Sequence, residues 1–448
     1  MTHPTIFIPV ESKKREFDGK ILLAAHLATR GFRVVLGTKA GVHREILHAR
    51  NGVYLAKSAS NVFLRFYSKL RQRGHHLVVL DVEGGALTKE IRNDLLRSYQ
   101  PESAPYFDYF YVFGEKIREA MIRDLEYIHP EQVVVTGEPR FDLLKPEHSG
   151  FFAAERSHIQ QRYGRFILIN TSFGLSNSAI GEEAIRKFLL TTEDIPDEQR
   201  PLYLLKHEEG KVLLKAFIAL ATSIAGTFPE INLVLRPHPD EDITVYEQAF
   251  SGKHNIFVNG NGNVHPWIQS ALAVIHHDCT TGMEAVMAGK PTISYVPRQE
   301  ESITAWLPVW LSIACATPEA VLQALEPVIS GKMTGYYPSE DKSAVFASNF
   351  ENYRSLAGEK LADHLAEHYI NLKSSENKSL LLKIRRIRSM MSHIRMKMRL
   401  KNEKWERFIR VDRNEVIRKL EGTGVFAGNS LPAVKIRGRN AAIIERQR

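Results

Sequence analysis

Short apolar runs rich in β-branched residues alternate along the chain with longer stretches whose apolar positions recur at helical spacing. The first runs, Thr5–Pro9, Arg33–Leu36, Leu77–Asp81, Tyr109–Phe113 and Val133–Thr136, predict strands. Helices are predicted between them, such as Gly19–Arg30, stopped by Gly31, and Val62–Gln72, stopped by Gly74. Strands this apolar are buried on both faces, the mark of a parallel sheet wrapped by helices. A first domain over 1–150 is expected. The pattern then restarts with Phe166–Asn170, a polar loop through Gly181 and a helical region from Val212 to Phe228. Asn232–Leu235, Ile256–Val258, Ala273–His276 and Thr292–Val296 follow as strands. They predict a second α/β domain over 160–345, with 346–370 a helix crossing back onto the first. The fold class expected is α/β, two Rossmann-like domains with parallel sheets facing across a cleft, plus a basic helical C-terminal extension. Ligands of such sheets sit beyond the carboxyl ends of the strands.

Composition narrows the setting. Hydrophobic residues at 44% and charged ones at 25% are globular values over 448 residues. No apolar run reaches the roughly 18–20 residues of a membrane-spanning helix. The opening Met-Thr-His-Pro-Thr-Ile-Phe-Ile reads as a strand, not a signal peptide. The two cysteines, Cys279 and Cys315, lack metal-ligand spacing and do not suggest a disulfide framework. A cytoplasmic protein is expected. Its net charge of +9 is lopsided: 371–448 hold 21 Lys/Arg against 7 Asp/Glu, and the remainder is acidic. The basic character belongs to the tail.

Candidate chemistry gathers at two predicted strand ends. Arg236-Pro237-His238-Pro239 follows Asn232–Leu235, and its prolines stiffen the exit from the strand. A guanidinium and an imidazole there suit a diphosphate or phosphodiester. His276-His277-Asp278-Cys279-Thr280-Thr281-Gly282-Met283-Glu284-Ala285 follows another strand. Thr280 or Thr281 is expected to cap the next helix, whose free amides favour an anion. Gly282 would let the backbone approach that anion, and Glu284 could accept from ribose hydroxyls. Asn170, Thr171 and Ser172 end a third strand and are candidates for donor phosphate or base. The donor-binding set is thus Arg236, His238, Pro239, His277, Thr280, Thr281, Gly282, Glu284, Asn170, Thr171 and Ser172.

These motifs resemble the donor domain of GT-B bacterial transferases for surface polysaccharides, a group that includes capsule enzymes using CMP-Kdo, polysialyltransferases and poly(glycerol phosphate) transferases. The chain is more similar still to the surface carbohydrate biosynthesis proteins. The matching segments are Ile8-Pro9-Val10-Glu11 with Arg15-Glu16-Phe17-Asp18, Asp81-Val82-Glu83-Gly84, Thr136-Gly137-Glu138-Pro139-Arg140-Phe141-Asp142 and Asn170-Thr171-Ser172-Phe173-Gly174. They occur in order over about 1–345. Val82 stands where that family often has Glu, which leaves Asp81 and Glu83 in place.

Glu11 and Glu83 each fall just past a first-domain strand, and two carboxylates across a sugar are what glycosyl transfer can use. The resemblance to retaining Kdo transferases implies a carboxylate nucleophile. Glu83 is then expected as nucleophile or principal base, Glu11 as acid/base and Asp81 as orienter. Arg140 is a candidate for a substrate carboxylate, or a partner of Asp142. Asp240-Glu241-Asp242 has the form of a metal-binding Asp-x-Asp, but its place after Arg-Pro-His-Pro predicts a solvated loop. No metal and no cofactor are expected, the nucleotide-sugar donor being a substrate.

From Leu382 the apolar positions Ile384, Ile387, Met391, Ile394, Met398, Trp405 and Phe408 form one helical stripe, broken only by Lys401. The other faces are nearly all basic. Such a helix over 380–410 suits an anionic membrane surface better than nucleic acid. The extension is expected as basic amphipathic helices over 371–420 and a flexible tail over 421–448. The function expected is transfer of a sugar, Kdo or another ulosonic acid from a CMP donor, onto a polysaccharide or glycolipid acceptor at the inner face of the membrane. A CDP-glycerol or CDP-ribitol phosphate transferase and a non-catalytic nucleotide-sugar-binding scaffold are the alternatives. A nucleotide-sugar 2-epimerase fits the fold but not the tail.

Overall fold

The computed structural model describes residues 4–80, 98–192, 195, 197–298, 300–376, 411–426, 430–437 and 441–445. The described residues of 1–84, 94–151 and 347–448 form one compact unit, and those of 152–346 a second. In the first unit the strands are β1 (Thr5–Val10), β2 (Arg33–Thr38), a short β3 (Ala49–Arg50), β4 (Val53–Ala56), β5 (His76–Leu80), β6 (Tyr109–Val112) and β7 (Val133–Val135). Their parallel pairing gives the order β2-β1-β4-β5-β6-β7. Every residue of β1 is buried, as the unbroken apolar run implied. Helix Lys13–Thr29 follows it and is buried without a break from Glu16 to Ala28, a helix enclosed on all sides rather than laid by one face on the core.

The second unit holds β8 (Phe166–Asn170), β9 (Asn232–Arg236), β10 (Ile256–Val258), β11 (Val274–His276), β12 (Thr292–Tyr295) and β13 (Ile313–Cys315). Its sheet runs β10-β9-β8-β11-β12-β13, all parallel. A 28-residue helix, Arg200–Thr227, buries Leu213, Phe217, Leu220, Ala221 and Ile224 in the same core as β8 and β9. It begins well before the Val212 start expected from its apolar stripe, because Gln199 and Pro201 open the helix ahead of Leu202–Leu205.

The chain end corrects the expectation of a flexible tail over 421–448. Short β14 (Ser375–Glu376) pairs antiparallel with β3, while β15 (Ala433–Arg437) and β16 (Ala441–Glu445) extend the first sheet beyond β2. Ala441, Ala442, Ile443 and Ile444 are at most 1% exposed. A four-residue apolar run suffices to cover the open edge of β2, a pairing hidden by the arginines around it. Helix Arg413–Gly422 is fixed as firmly. Asp412 caps it at the Glu415 amide (2.9 Å), Glu415 pairs with Lys13 (2.7 Å), and Lys419 pairs with buried Asp18 (2.7 Å). Of the basic extension, 377–410, including the predicted membrane helix, lies outside the described residues.

Residues 347–369 also belong to the first unit. Asp142 accepts from the Ala357 and Gly358 amides (3.0 and 2.7 Å), the first turn of helix Ala357–Tyr369, and from Asn352 Nδ2 (2.6 Å). A buried carboxylate thus fastens the returning helix.

Candidate functional site

In the second unit the chain runs from β8 out to β10 at one edge, then crosses to β11 and out to β13 at the other. The order reverses between β8 and β11, where a crevice opens beyond the carboxyl ends. A pocket of about 510 Å³, open mouth included, lies there, with Ser172, Ser176, Lys206, His277, Asp278 and Arg298 in its wall. Among the expected residues, Ser172 and His277 line it.

One residue expected in a solvated loop organises this end of the sheet. Glu241 is 5% exposed and accepts from Thr171 Oγ1 (2.9 Å), the Phe173 amide (2.9 Å), the His238 amide (3.0 Å) and the Tyr246 hydroxyl. It ties the loop after β8 to the loop after β9. Burial raises its carboxyl pKa against the pull of those donors. Asp242 is the N-cap of helix Ile243–Ala249, bonding the Thr244 amide (3.0 Å). The Asp-x-Asp spacing has turned into a knot and a cap.

His238 is half-buried beside this knot, with its Nδ1 accepting from the Asp240 amide (3.3 Å), and Pro239 is exposed. Asn170 and Thr171 are buried, Thr171 on Glu241. Arg236 departs from its expected role as a phosphate ligand. Its guanidinium is buried over the Trp267 ring (4.7 Å) and donates to the carbonyls of Asn259, Asn261 and Gly262 at 2.9–3.1 Å. Burial lowers its pKa to about 9. It is a brace for the 259–262 loop, its side chain turned under the sheet end by the alternation of the strand.

The His-His-Asp segment divides in the same way. His276 is fully buried, its Nε2 at 2.9 Å from Ser312 Oγ. His277 lines the pocket and sets Nδ1 at 3.0 Å from Asp278 Oδ1, while Asp278 Oδ2 accepts from the Ala305 amide (3.0 Å). Burial opposes the charge of Asp278, but His277, Lys206 and the amide hold its pKa well below the carboxylate range.

Three expectations after Asp278 need correction. The N-cap of helix Thr280–Met287 is Cys279, not a threonine; Thr280 and Thr281 are its first helical residues, with Thr281 Oγ1 2.7 Å from Cys279 Sγ. Gly282 makes room for a side chain instead of an anion, since a Cβ there would meet the His276 ring at 2.3 Å. Glu284 faces inward, 3% exposed, with Oε1 at 3.6 Å from His265 Nε2. Glu284 is the fifth residue of this helix, past its first turn, and lies on the face that the helix buries.

In the first unit the order reverses between β1 and β4. Glu11 directly follows β1, Lys39 follows β2 and Lys57 follows β4, so the three charges share one sheet end. Glu11 is about a third exposed, 2.7 Å from Lys39 and 3.6 Å from Lys57. Below it, buried Glu16 accepts the Glu11 amide (3.2 Å) and pairs with Lys20 (2.6 Å), whose Nζ also reaches the Pro9 carbonyl (2.7 Å). Burial raises the Glu16 pKa, yet Lys20 and the amide leave it lowered overall. Arg140 is buried and pairs with Glu138 (3.0 Å), not with Asp142. Burial pushes Glu138 up to about 8 despite Arg140 and Lys20. Asp81 and Glu83 lie outside the described residues.

Sequence reasoning placed Glu241 in a solvated loop and passed over Arg298, while Lys206, which with His207 follows an apolar stretch, carried only a faint signal. Among the described residues one set, Glu182, His207 and Glu208, could gather around a cation. The Lys211 ammonium already stands 2.7 and 3.1 Å from the two glutamates, which meets their charge.

No protein-family model matches the chain, and no curated protein matches it. Its likeness is to solved structures. The UDP-GlcNAc 2-epimerase of Methanocaldococcus jannaschii aligns at a TM-score of 0.50 and 11% identity, over 81% of this chain and 99% of that one. The Neisseria meningitidis UDP-GlcNAc 2-epimerase bound to UDP-GlcNAc gives 0.47 and 11%, over 82% and 100%. The wall teichoic acid polymerase TagF gives 0.47 and 11%, over 81% and 87%. Identity this low speaks for architecture alone. With two α/β sheets, one parallel throughout and one parallel but for β15 and β16, in two units, the chain has the GT-B fold, built of two Rossmann-like units.

Proposed function

We propose that the chain is a transferase that takes its group from a nucleotide-activated donor held by the second unit. The observation that carries this reading is the switch-point pocket between β8 and β11, beside loops that Glu241 knots together. Rigid loops at that position are where open α/β sheets hold nucleotides. The group is a sugar, an eight- or nine-carbon ulosonic acid from its CMP donor, passed to a surface polysaccharide or lipid-linked glycan. Ser172, His238 and the start of helix Thr280–Met287 face the donor phosphate in this reading. Glu11 supplies the carboxylate of the first unit, with Glu83 as its partner.

Incubating the protein with CMP-Kdo, CDP-glycerol and UDP-GlcNAc, each with a glycan acceptor, and weighing the products tests it. A mass gain of one ulosonic acid supports the reading. A glycerol phosphate gain moves the chain to polyol phosphate transfer, and an acceptor-independent change of UDP-GlcNAc to an epimerase. Glu11→Gln is expected to lower the transfer rate on the order of 10²–10⁴-fold, the range for losing an acid–base group. An unchanged rate would remove Glu11 from the chemistry.

The basic stripe of 380–410 supports peripheral attachment to an anionic membrane on its cytoplasmic side. Cutting the chain after 370 is a poor test, because it also removes β15, β16 and helix Arg413–Gly422 from the first unit. Changing Lys383, Arg385, Arg386, Arg388, Arg395 and Lys397 to glutamine leaves those elements intact. Flotation with phosphatidylserine vesicles should then fall by at least tenfold, each cation near such a surface contributing about 1 kcal/mol. Undiminished flotation would overturn the attachment.

A further inference from the structure

His277 is 6% exposed and stands in the wall of the switch-point pocket. Its Nδ1 is held by Asp278 Oδ1 (3.0 Å), and the second carboxylate oxygen is fixed by the Ala305 amide (3.0 Å). The His277 carbonyl accepts from the Ser294 hydroxyl, and the Phe217 ring meets the imidazole edge-on at 6.4 Å. Backbone, ring plane and Nδ1 are therefore all fixed. Nε2 is buried and has no hydrogen-bond partner among the described residues. An ionised Asp278 keeps the proton on Nδ1, which leaves Nε2 as a bare lone pair. A buried acceptor without a donor is destabilising. A pocket ligand that reaches this enclosed nitrogen has to bring an O–H or N–H donor.

The charges around the pair fit that role. Lys206, on helix Arg200–Thr227, makes no ion pair or hydrogen bond through its ammonium among the described residues, yet its field acts on Asp278. Glu209 of the same helix is occupied by Arg298 (3.3 Å), and Glu300 by Ser302 (2.9 Å). His276, alongside, is turned to Ser312. Lys206 is thus the cation left to stabilise an oxyanion.

We propose that His277 and Asp278 form a proton-accepting pair, His277 Nε2 removing the proton from a substrate hydroxyl and Asp278 fixing the tautomer. The O–H bond breaks, the proton goes to Nε2, and the electron pair stays on oxygen. That oxygen bonds to the electrophilic centre of the nucleotide-activated donor as the centre's bond to the donor phosphate breaks, its electrons leaving on the phosphate. The imidazolium then releases its proton to water. The inference rests on the transferase reading for its donor, but not for the geometry of the pair. His277 is a catalytic residue here and Asp278 a positioning residue.

The test has two arms. In the first, turnover of whichever donor gives product is followed against pH for wild type, His277→Gln and Asp278→Asn. His277→Gln should lose on the order of 10²–10⁴-fold in kcat with KM nearly unmoved, together with the acid limb of the pH profile. Asp278→Asn should lose less and displace that limb. A His277→Gln enzyme with wild-type kcat and profile would overturn the proposal. The second arm needs no turnover: long-range nitrogen NMR of histidine-labelled full-length protein, with CMP and CDP-glycerol as probes. A proton on Nδ1 and a bare Nε2 whose resonance moves with either probe supports the pair. A proton on Nε2, or an Nε2 blind to both, overturns it. Absence of transfer alone would sink the transferase reading and leave the second arm to decide the pair.

Discussion

Glu241→Ala is expected to cost the second unit about 3–5 kcal/mol and to loosen both loops beside the pocket. Four donors converge on this one buried carboxylate, from Thr171, Phe173, His238 and Tyr246. Removing the acceptor leaves them in a site too enclosed for easy rehydration, and each buried orphan costs about 1–3 kcal/mol before relaxation. Glu241→Gln keeps an acceptor oxygen but brings an amide that must find acceptors among donors. It should lose about 1–2 kcal/mol. Urea unfolding gives both values, and the order alanine below glutamine below wild type is the signature. An alanine variant as stable as wild type would mean that the loops are held by something else. On the proposed donor-binding reading, nucleotide binding weakens in the same order.

Gly282→Ala is the second large effect. Alanine in place of a helical glycine gains about 1 kcal/mol when nothing is in the way. Here its Cβ would sit 2.3 Å from the His276 ring, a ring buried against Ser312 and unable to retreat. Overpacking of about 1–3 kcal/mol, or more for a clash this deep, outweighs the gain. A net loss of about 2 kcal/mol is expected from thermal unfolding at pH 7. The pair Gly282→Ala with His276→Ala should be more stable than the two separate losses imply. Strict additivity would place the strain elsewhere.

The same ring carries a pH signature. Burial, the largest cause, and the neighbouring His277 lower the His276 pKa to about 3, with Asp278 opposing. A histidine lowered in the fold takes up its proton more readily when unfolded. Its contribution is therefore intact above the unfolded pKa of about 6.5 and is lost as pH falls from there towards 3. The gap in stability between wild type and His276→Gln should narrow by up to about 1.4 kcal/mol per pH unit across that window. A gap that does not change with pH would mean His276 is protonated in the fold.

Much of this architecture could be read from spacing. The apolar runs at 5–9, 33–36, 166–170 and 232–235 each became a buried parallel strand, and Arg236, His238 and His277 fell at strand ends as expected. What spacing could not say was which way each polar group would turn. Arg236 and Glu284 look inward, Glu241 leaves its expected solvent for a buried knot, and Ala441–Glu445 joins the first sheet from the far end of the chain.

The sequence by itself determined two parallel α/β units and the strand ends where chemistry collects, because apolar periodicity dictates which backbone is buried and in what conformation. Only the tertiary structure decided which polar side chains are consumed inside and which keep a bond to offer. Those outcomes depend on partners far apart in the chain. Thr171 meets Glu241 across 70 residues and Asp142 meets Asn352 across 210. No local pattern records such a pairing, since a hydrogen bond is won by whichever partner packing brings within reach.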